Sequence, residues 1–257
     1  MKATKSDKAF AILSAAFMIF LFIVMIYPLY FSLIASISDP YKVAKGQVFF
    51  FPEKISFDSY RYVFENNSIW GGYLNSLSYT AGGTALSLAM TIPAAYALSK
   101  KEMFLRTFFS WFFLFTMYFS GGLVPSYILV KNLNLLNRPW TLIALGCVNV
   151  FNIIITRVFF QTTIPESLYE AARIDGASEF YTFFRIALPL SGAIVAVIGL
   201  YYCVARWNDY YTALIYVQDK NYQPLQSVLR GIQMNLLVNI FRKCPVKGGE
   251  LSRENAK

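Results

Sequence analysis

The stretch YEAARIDGASEFYTFFRIALP, Tyr169 to Pro189, is a charged, helix-patterned segment caught between two runs that carry no Asp, Glu, Lys or Arg, Arg138 to Arg157 and Arg185 to Arg206. Just before it the chain reads TTIPES, where Pro165 suits a first helical turn and Glu166 complements the N-terminal dipole. Leu168, Ala171 and Ala172 recur at helical spacing, and Gly176 follows as a residue able to take the left-handed cap. The pattern predicts a helix of about three turns. Ser178 then caps a second helix, Glu179 to Ala187, which leads past Pro189 into the next apolar run. So short a first helix is marginal alone in water, and its two alanines bury little unless another protein covers them. Asp175 at its C-terminus opposes the dipole by roughly 0.3 to 1 kcal/mol, a cost that a hydrogen bond from elsewhere would offset.

Outward from this segment the chain is membrane-like. Its 257 residues are 56% hydrophobic, 18% aromatic and only 14% charged, against roughly 25% charged in soluble domains. Charges are absent between Lys8 and Asp39, Glu65 and Lys100, Arg106 and Lys131, Arg138 and Arg157, and Arg185 and Arg206. Each gap accommodates the roughly 20 helical residues that cross a bilayer, and no period-2 alternation points to a barrel. The reading is all-α, a polytopic membrane helical bundle. It has a cytoplasmic N-terminus (1–8), a first span (9–38), an extracytoplasmic loop (39–69), and a core (70–233) with spans at about 73–99, 107–130, 139–160 and 186–205, the charged loop occupying 165–189. The first apolar run exceeds the 7–15 residues of a signal core and has no small-residue cleavage site, so it is expected to stay. With the N-terminus inside, Lys and Arg outside the C-terminal tail are equally numerous on the two sides, and the greater weight of the first helix favours this orientation.

The composition excludes several classes. The charge of +9 is scattered among connections and a tail rather than gathered on one face, which argues against nucleic acid. Cys147, Cys203 and Cys244 lack disulfide or metal spacing, and the absence of histidine removes the commonest general base and metal ligand. No catalytic residue, metal or cofactor is therefore assigned. None of the five gaps holds the carboxylate an ion-coupled secondary transporter would use, although that class stays as an alternative. No G-x-x-x-x-G-K-[ST] phosphate loop is present.

Within the spans, Ala81, Gly82, Gly83, Ala85, Ser87 and Ala89 place the second inside a bundle, and Pro28 and Pro93 predict kinks. Ser120, Gly121, Gly122 and Pro125 interrupt the third. Asn149 and Asn152, three residues apart, share a face of the fourth, either as interhelical hydrogen bonds or as the polar lining of a substrate path. RWNDYY, Arg206 to Tyr211, ends the fifth. Its Trp207 and Tyr210 either anchor the helix at the interface or stack on sugar rings, with Asn208 and Asp209 bonding hydroxyls. Phe49, Phe50 and Phe51 are expected at the membrane surface in a loop with one short helix.

The spacing E-A-A, three residues, G, nine residues, I-x-L-P, carried by Glu170, Ala171, Ala172, Gly176, Ile186, Leu188 and Pro189, resembles the loop that permease subunits of ATP-binding-cassette importers present to their ATPase. SYRYVFENN, GYLNSLSYTAGGTALSL, AYALSKK, FSGGLVPSYILVKNLNLLN, IITRVFFQTTIP, RWNDYYTALIY and PLQSVLR extend the likeness over about Ser56 to Arg230. They are similar to MalG-type oligosaccharide permeases, above all the branch with lipoprotein binding subunits in Gram-positive bacteria. The resemblance implies the type I importer permease fold in the cell membrane. It implies a non-catalytic subunit passing a sugar or oligosaccharide, with hydrolysis left to a separate ATP-binding subunit dimer. A second homologous permease, a solute-binding lipoprotein and membrane lipid are the other implied partners. Glu166 to Ser178 would be the coupling helix, with Ala171, Ala172 and Gly176 giving close approach and Glu170 and Asp175 polar anchoring.

One departure stands out. The family has a sixth span after PLQSVLRGI, whereas here only MNLLVNIF, Met234 to Phe241, precedes the polar RKCPVKGGELSRENAK. Eight residues cannot cross a bilayer, so the expectation is five recognisable spans with the sixth missing, and a disordered polar tail over 234–257. An inactive truncated permease is thus a second alternative.

Overall fold

The computed structural model describes residues 5–243. It divides into two compact units, residues 1–67 and 68–257.

The first unit is led by α1 (Lys5–Ser36), which runs uninterrupted through Pro28. Its stretch Phe10–Ser36 is long and apolar enough to cross a membrane, and most of its side chains are exposed, Ile34 near its end being buried. Two short helices follow where one was expected, α2 (Pro40–Ala44) and α3 (Asp58–Glu65). Asp39 caps α2 by accepting from the Tyr41 N–H, and Ser38 and Ile55 form an isolated antiparallel bridge. Tyr30 donates to the Phe50 carbonyl at 2.7 Å, holding the exposed Phe49–Phe51 run against α1.

The second unit is built on α4 (Asn67–Ser99), a 33-residue helix that also continues through its proline, Pro93. Its buried positions, among them Gly72, Ser76, Tyr79, Gly83, Ser87, Thr91, Ala95 and Leu98, recur every three or four residues. That period puts them on one stripe, which takes in Gly83 and Ser87 of the small residues expected inside, while Gly82 is half-buried and Ala81, Ala85 and Ala89 lie exposed on the other face. A Cβ on Gly72 would stand 3.2 Å from the Leu225 Cα, and one on Gly83 3.1 Å from the Arg206 Nε. Glycine is what lets these neighbours approach.

The third apolar run is broken where Ser120–Gly122 predicted. Arg106–Tyr118 (α5) and Leu123–Asn132 (α6) meet at 111° around Gly122, whose φ is +85°. The fourth run differs from the expected single span of about 139–160. It is split into α7 (Pro139–Ala144) and α8 (Val150–Thr162), because Gly146 takes φ +69° and Asn149 begins a new helix as its N-cap. Next come α9 (Glu166–Ile174), α10 (Glu179–Thr182), a π turn over Phe183–Ala187, α11 (Leu188–Leu190) and α12 (Gly192–Trp207). The Glu179–Leu190 run meets α12 at 79°. Among the described residues, then, α1 and α4 are long and apolar enough to cross a membrane singly, and the two bent pairs qualify as broken spans.

After α13 (Tyr211–Tyr216) the chain enters α14 (Leu225–Lys243). This corrects the reading of Met234–Phe241 as an isolated short run and of 234–243 as disordered tail. The apolar run is the second half of a 19-residue helix about 28 Å long, which begins in the PLQSVLRGI segment. Its amphipathic first half hid the helix: Gly72 and the Ser76 Oγ, which accepts from the Leu225 N–H at 2.8 Å, fix its start from α4. The rest of the expected tail, 244–257, lies outside the described residues.

The core of this unit lies between α4, α8 and the π turn, where Ile92, Ala95, Tyr96, Ile153, Phe160, Ile164, Phe183 and Ala187 are buried together. The Tyr96 ring packs on Phe183 at 4.9 Å and on Phe160 at 5.5 Å.

Candidate functional site: a tethered helix and a polar cavity

The signals around Pro165 and Gly176 produce the helix they foretell. α9 ends with Asp175 as C-cap and Gly176 at φ +74°. The Gly176 N–H donates to the Arg173 carbonyl at 3.0 Å and the Ala177 N–H to the Ala172 carbonyl at 2.9 Å. These are the paired 5→2 and 6→1 bonds of a Schellman ending, which needs a left-handed residue at that position. Ser178 caps the next helix by accepting from the Tyr181 N–H.

One side of α9 is tied to the chain by the turn after α4. Arg173 donates to both carboxylate oxygens of Glu102, at 2.7 and 2.6 Å, and Lys101 pairs with Glu166 at 2.8 Å. The hydrogen bond from Arg173 holds the Glu102 carboxyl below its ordinary value. Lys100 sits 3.1 Å above the Tyr169 ring, and burial lowers its pKa despite nearby carboxylates, Glu179 foremost. Burial first, then the Glu179 charge, pushes the Tyr169 phenol up to about 12. Between these groups lies a pocket of about 210 Å³. The signal for this tether was present in the sequence as LSKKE after the second span, but which helix those charges would meet was not.

The other side is open. Glu170, Ala171, Asp175 and Gly176 are exposed, and Ile174 is 87% exposed. Glu170 and Asp175 make no ion pair or side-chain hydrogen bond among the described residues. Ala172 is the exception to the expected docking set: at 6% exposure it packs inside the chain.

At the other end of α12 is a cavity of about 490 Å³, lined in part by Asn149, Asn152, Tyr202, Arg206, Asp209 and Thr212. Asn149 and Asn152 are both there, but not as two residues on one helical face. Asn149 is the N-cap of α8, and its side-chain oxygen accepts from the Asn152 N–H at 3.3 Å. Trp207, Asn208 and Tyr210 are not part of the lining. Trp207 packs edge-on against Tyr73 at 5.8 Å, the Asn208 amide bonds back to the Val204 carbonyl, and Arg230 stacks over Tyr210 at 4.4 Å.

The organising residues are two that sequence reasoning passed over. The Tyr202 hydroxyl shares a hydrogen bond with the Thr91 hydroxyl at 2.7 Å and accepts from the Asn149 N–H at 3.1 Å, joining α4, α8 and α12. Arg206 donates one guanidinium nitrogen to the Leu142 and Leu145 carbonyls at 2.8 and 2.6 Å. Carbonyls at a helix end lack intrahelical partners, so Arg206 satisfies the break that splits the fourth run.

This arrangement, an apolar bundle with a tethered helix bearing one open face, coincides with a known family. Residues 67–241 match the binding-protein-dependent transport system inner membrane component. The chain belongs to this family. The permease is 38% identical over 232 residues to protein LplC of Bacillus subtilis, covering 90% of this chain and 78% of that protein. It is 37% identical to the polygalacturonan/rhamnogalacturonan transport system permease protein YtcP of the same organism, covering 88% and 79%. Among solved structures it is similar to a bacterial importer of the acidic polysaccharide alginate, with TM-score 0.85, 31% identity, and coverage of 93% of this chain and 87% of that one. The permease is thus a helical membrane subunit of an ATP-binding-cassette importer.

Proposed function

We propose that the permease passes a sugar or oligosaccharide, handed over by a solute-binding lipoprotein, and that α9 is where it is driven by a separate ATPase dimer. The single observation that carries this reading is the two-sided character of α9. Its inner side is tied by Arg173–Glu102 and Lys101–Glu166, while Glu170, Ala171, Ile174, Asp175 and Gly176 stand exposed, with no ion pair or side-chain hydrogen bond among the described residues. An open apolar side chain such as Ile174, flanked by two unpaired carboxylates, suits a groove with basic and apolar walls. The tether then transmits displacement of α9 to α4 and through the π turn to α12. Ala171 and Gly176 supply the close approach, and Ala172 holds the helix to its own chain.

The sugar assignment rests on relatives named for melibiose/raffinose/stachyose import and maltodextrin transport, together with the polygalacturonan permease. The cavity formed around Asn149, Asn152, Tyr202, Asp209 and Thr212 offers donors and acceptors for hydroxyls. A second homologous permease completes the path, and the N-terminus and α9 face the cytoplasm. No catalytic step is assigned to this chain. Reconstitution with its ATPase, companion permease and lipoprotein tests the proposal: ATPase activity is expected to rise with one oligosaccharide of a panel. A complex whose hydrolysis ignores every saccharide would refute the substrate class, and failure of α9 variants to affect ATPase capture would refute the docking role.

A further inference from the structure

A third polar pocket, of about 300 Å³, opens between α5 and α8 and is lined by Arg106, Thr107, Ser110, Trp111, Leu114 and Arg157. It brings two guanidinium groups to one depression. No carboxylate lies within ion-pair distance of either among the described residues. Each spends little of its donor capacity on the chain: Arg106 gives its Nε–H to the Leu98 carbonyl at 3.1 Å, and Arg157 gives one N–H to the Ser110 hydroxyl at 3.0 Å. A guanidinium has five N–H donors. Among the described residues none of the remaining donors is buried without a partner, and both side chains line the pocket.

The pocket lies at the end of the bundle where α9 is tethered, since Leu98 and Ser99 close α4 there and Gln161 of α8 donates to the Ser99 carbonyl. Beyond it α5 presents Phe108, Trp111, Phe112 and Phe115, all more than half exposed. Two unneutralised cations at the foot of an exposed aromatic helix are costly in a membrane unless an anion joins them, and basic pockets of this kind take phospholipid headgroups. We propose that Arg106 and Arg157 bind the phosphate of an anionic phospholipid, Thr107 bonding a free oxygen and Ser110, which donates to the Arg106 carbonyl and accepts from Arg157, holding Arg157 in place, while an acyl chain follows the aromatic face of α5. A free phosphate would use the same donors, but it would leave that aromatic track without a role.

Native mass spectrometry of the assembled, detergent-solubilised transporter tests this by titration with phosphatidylglycerol, phosphatidylcholine or inorganic phosphate. Phosphatidylglycerol is expected to be retained at least about tenfold better than phosphatidylcholine, in line with two arginines acting on one headgroup. R106Q/R157Q should abolish the preference, Ser110→Ala should reduce it, and Lys220→Gln, in the turn before α14 and outside the pocket lining, should leave it intact. Should the double variant fail to assemble, the Ser110→Ala and single Arg157→Gln proteins carry the test. Arginine-dependent binding of inorganic phosphate without lipid preference would support the anion site and assign it to a soluble ligand. Equal retention of both lipids in wild type and variants, with no phosphate bound, would overturn the proposal.

Discussion

Replacing Gly176 separates two physical roles that coincide at the end of α9. The residue has φ +74°, and a Cβ built on it meets no atom of the chain within 4 Å. Within the permease, an alanine there pays only backbone strain, about 1–2 kcal/mol for a left-handed L-residue. Stiffening of the unfolded chain returns about 0.4–1 kcal/mol. The net of about 1 kcal/mol corresponds to roughly a fivefold loss in the population of the correctly ended helix. Asparagine, which visits this region more readily, should recover most of that loss. If the ATPase backbone also lies against Gly176, any side chain adds a close-packing penalty of about 1–3 kcal/mol in the complex. Then Gly176→Asn should bind the ATPase as poorly as Gly176→Ala, and Gly176→Val should abolish uptake in a protein that still inserts. Titrated capture of the ATPase on immobilised permease, beside uptake in vesicles, reads both quantities. Wild-type capture and uptake by Gly176→Val would refute the docking role of this helix end.

Two further outcomes follow from the geometry. Tyr202→Phe removes the hydroxyl that serves Thr91 and Asn149, leaving the Asn149 N–H without its partner at about 1–3 kcal/mol. Its thermal midpoint and uptake should fall while ATPase capture is unchanged, and a midpoint equal to wild type would refute the role given to this residue. The Glu102 carboxyl is held below its ordinary value of 4.5 by Arg173. Its contribution is therefore complete above that value and is lost as pH falls through the lowered one. Hydrogen exchange of the α9 amides should quicken across that acid window in wild type and stay flat in Glu102→Gln; identical profiles would sink the tether.

The local signals were the legible ones. Pro165, Gly176 and Ser178 act through the backbone of their own helices, and their capping bonds reach at most five residues. The same holds for the break at Gly122; on α4, by contrast, small size did not mark the buried face, since Gly83 and Ser87 turn inward and Ala81, Ala85 and Ala89 outward. Asn149 misled for a local reason of a different kind. Three residues from Asn152, it fits a helical face and an N-cap equally well, and the choice was made by Gly146 and by Arg206 drawing away the carbonyls of α7.

By itself, then, the sequence determined the class of protein, the apolar runs and the position of α9, because hydropathy and capping are short-range properties. Tertiary structure decided what those elements do together. It turned Ala172 inward while leaving Ala171 outward, joined Glu102 to Arg173, gathered Asn149, Tyr202 and Asp209 into one cavity, and continued α14 from Leu225 through an apolar run too short to stand alone. Each of those outcomes depends on a partner brought close by packing, Arg206 on Leu142 and Leu225 on Ser76 among them, which spacing along the chain does not encode.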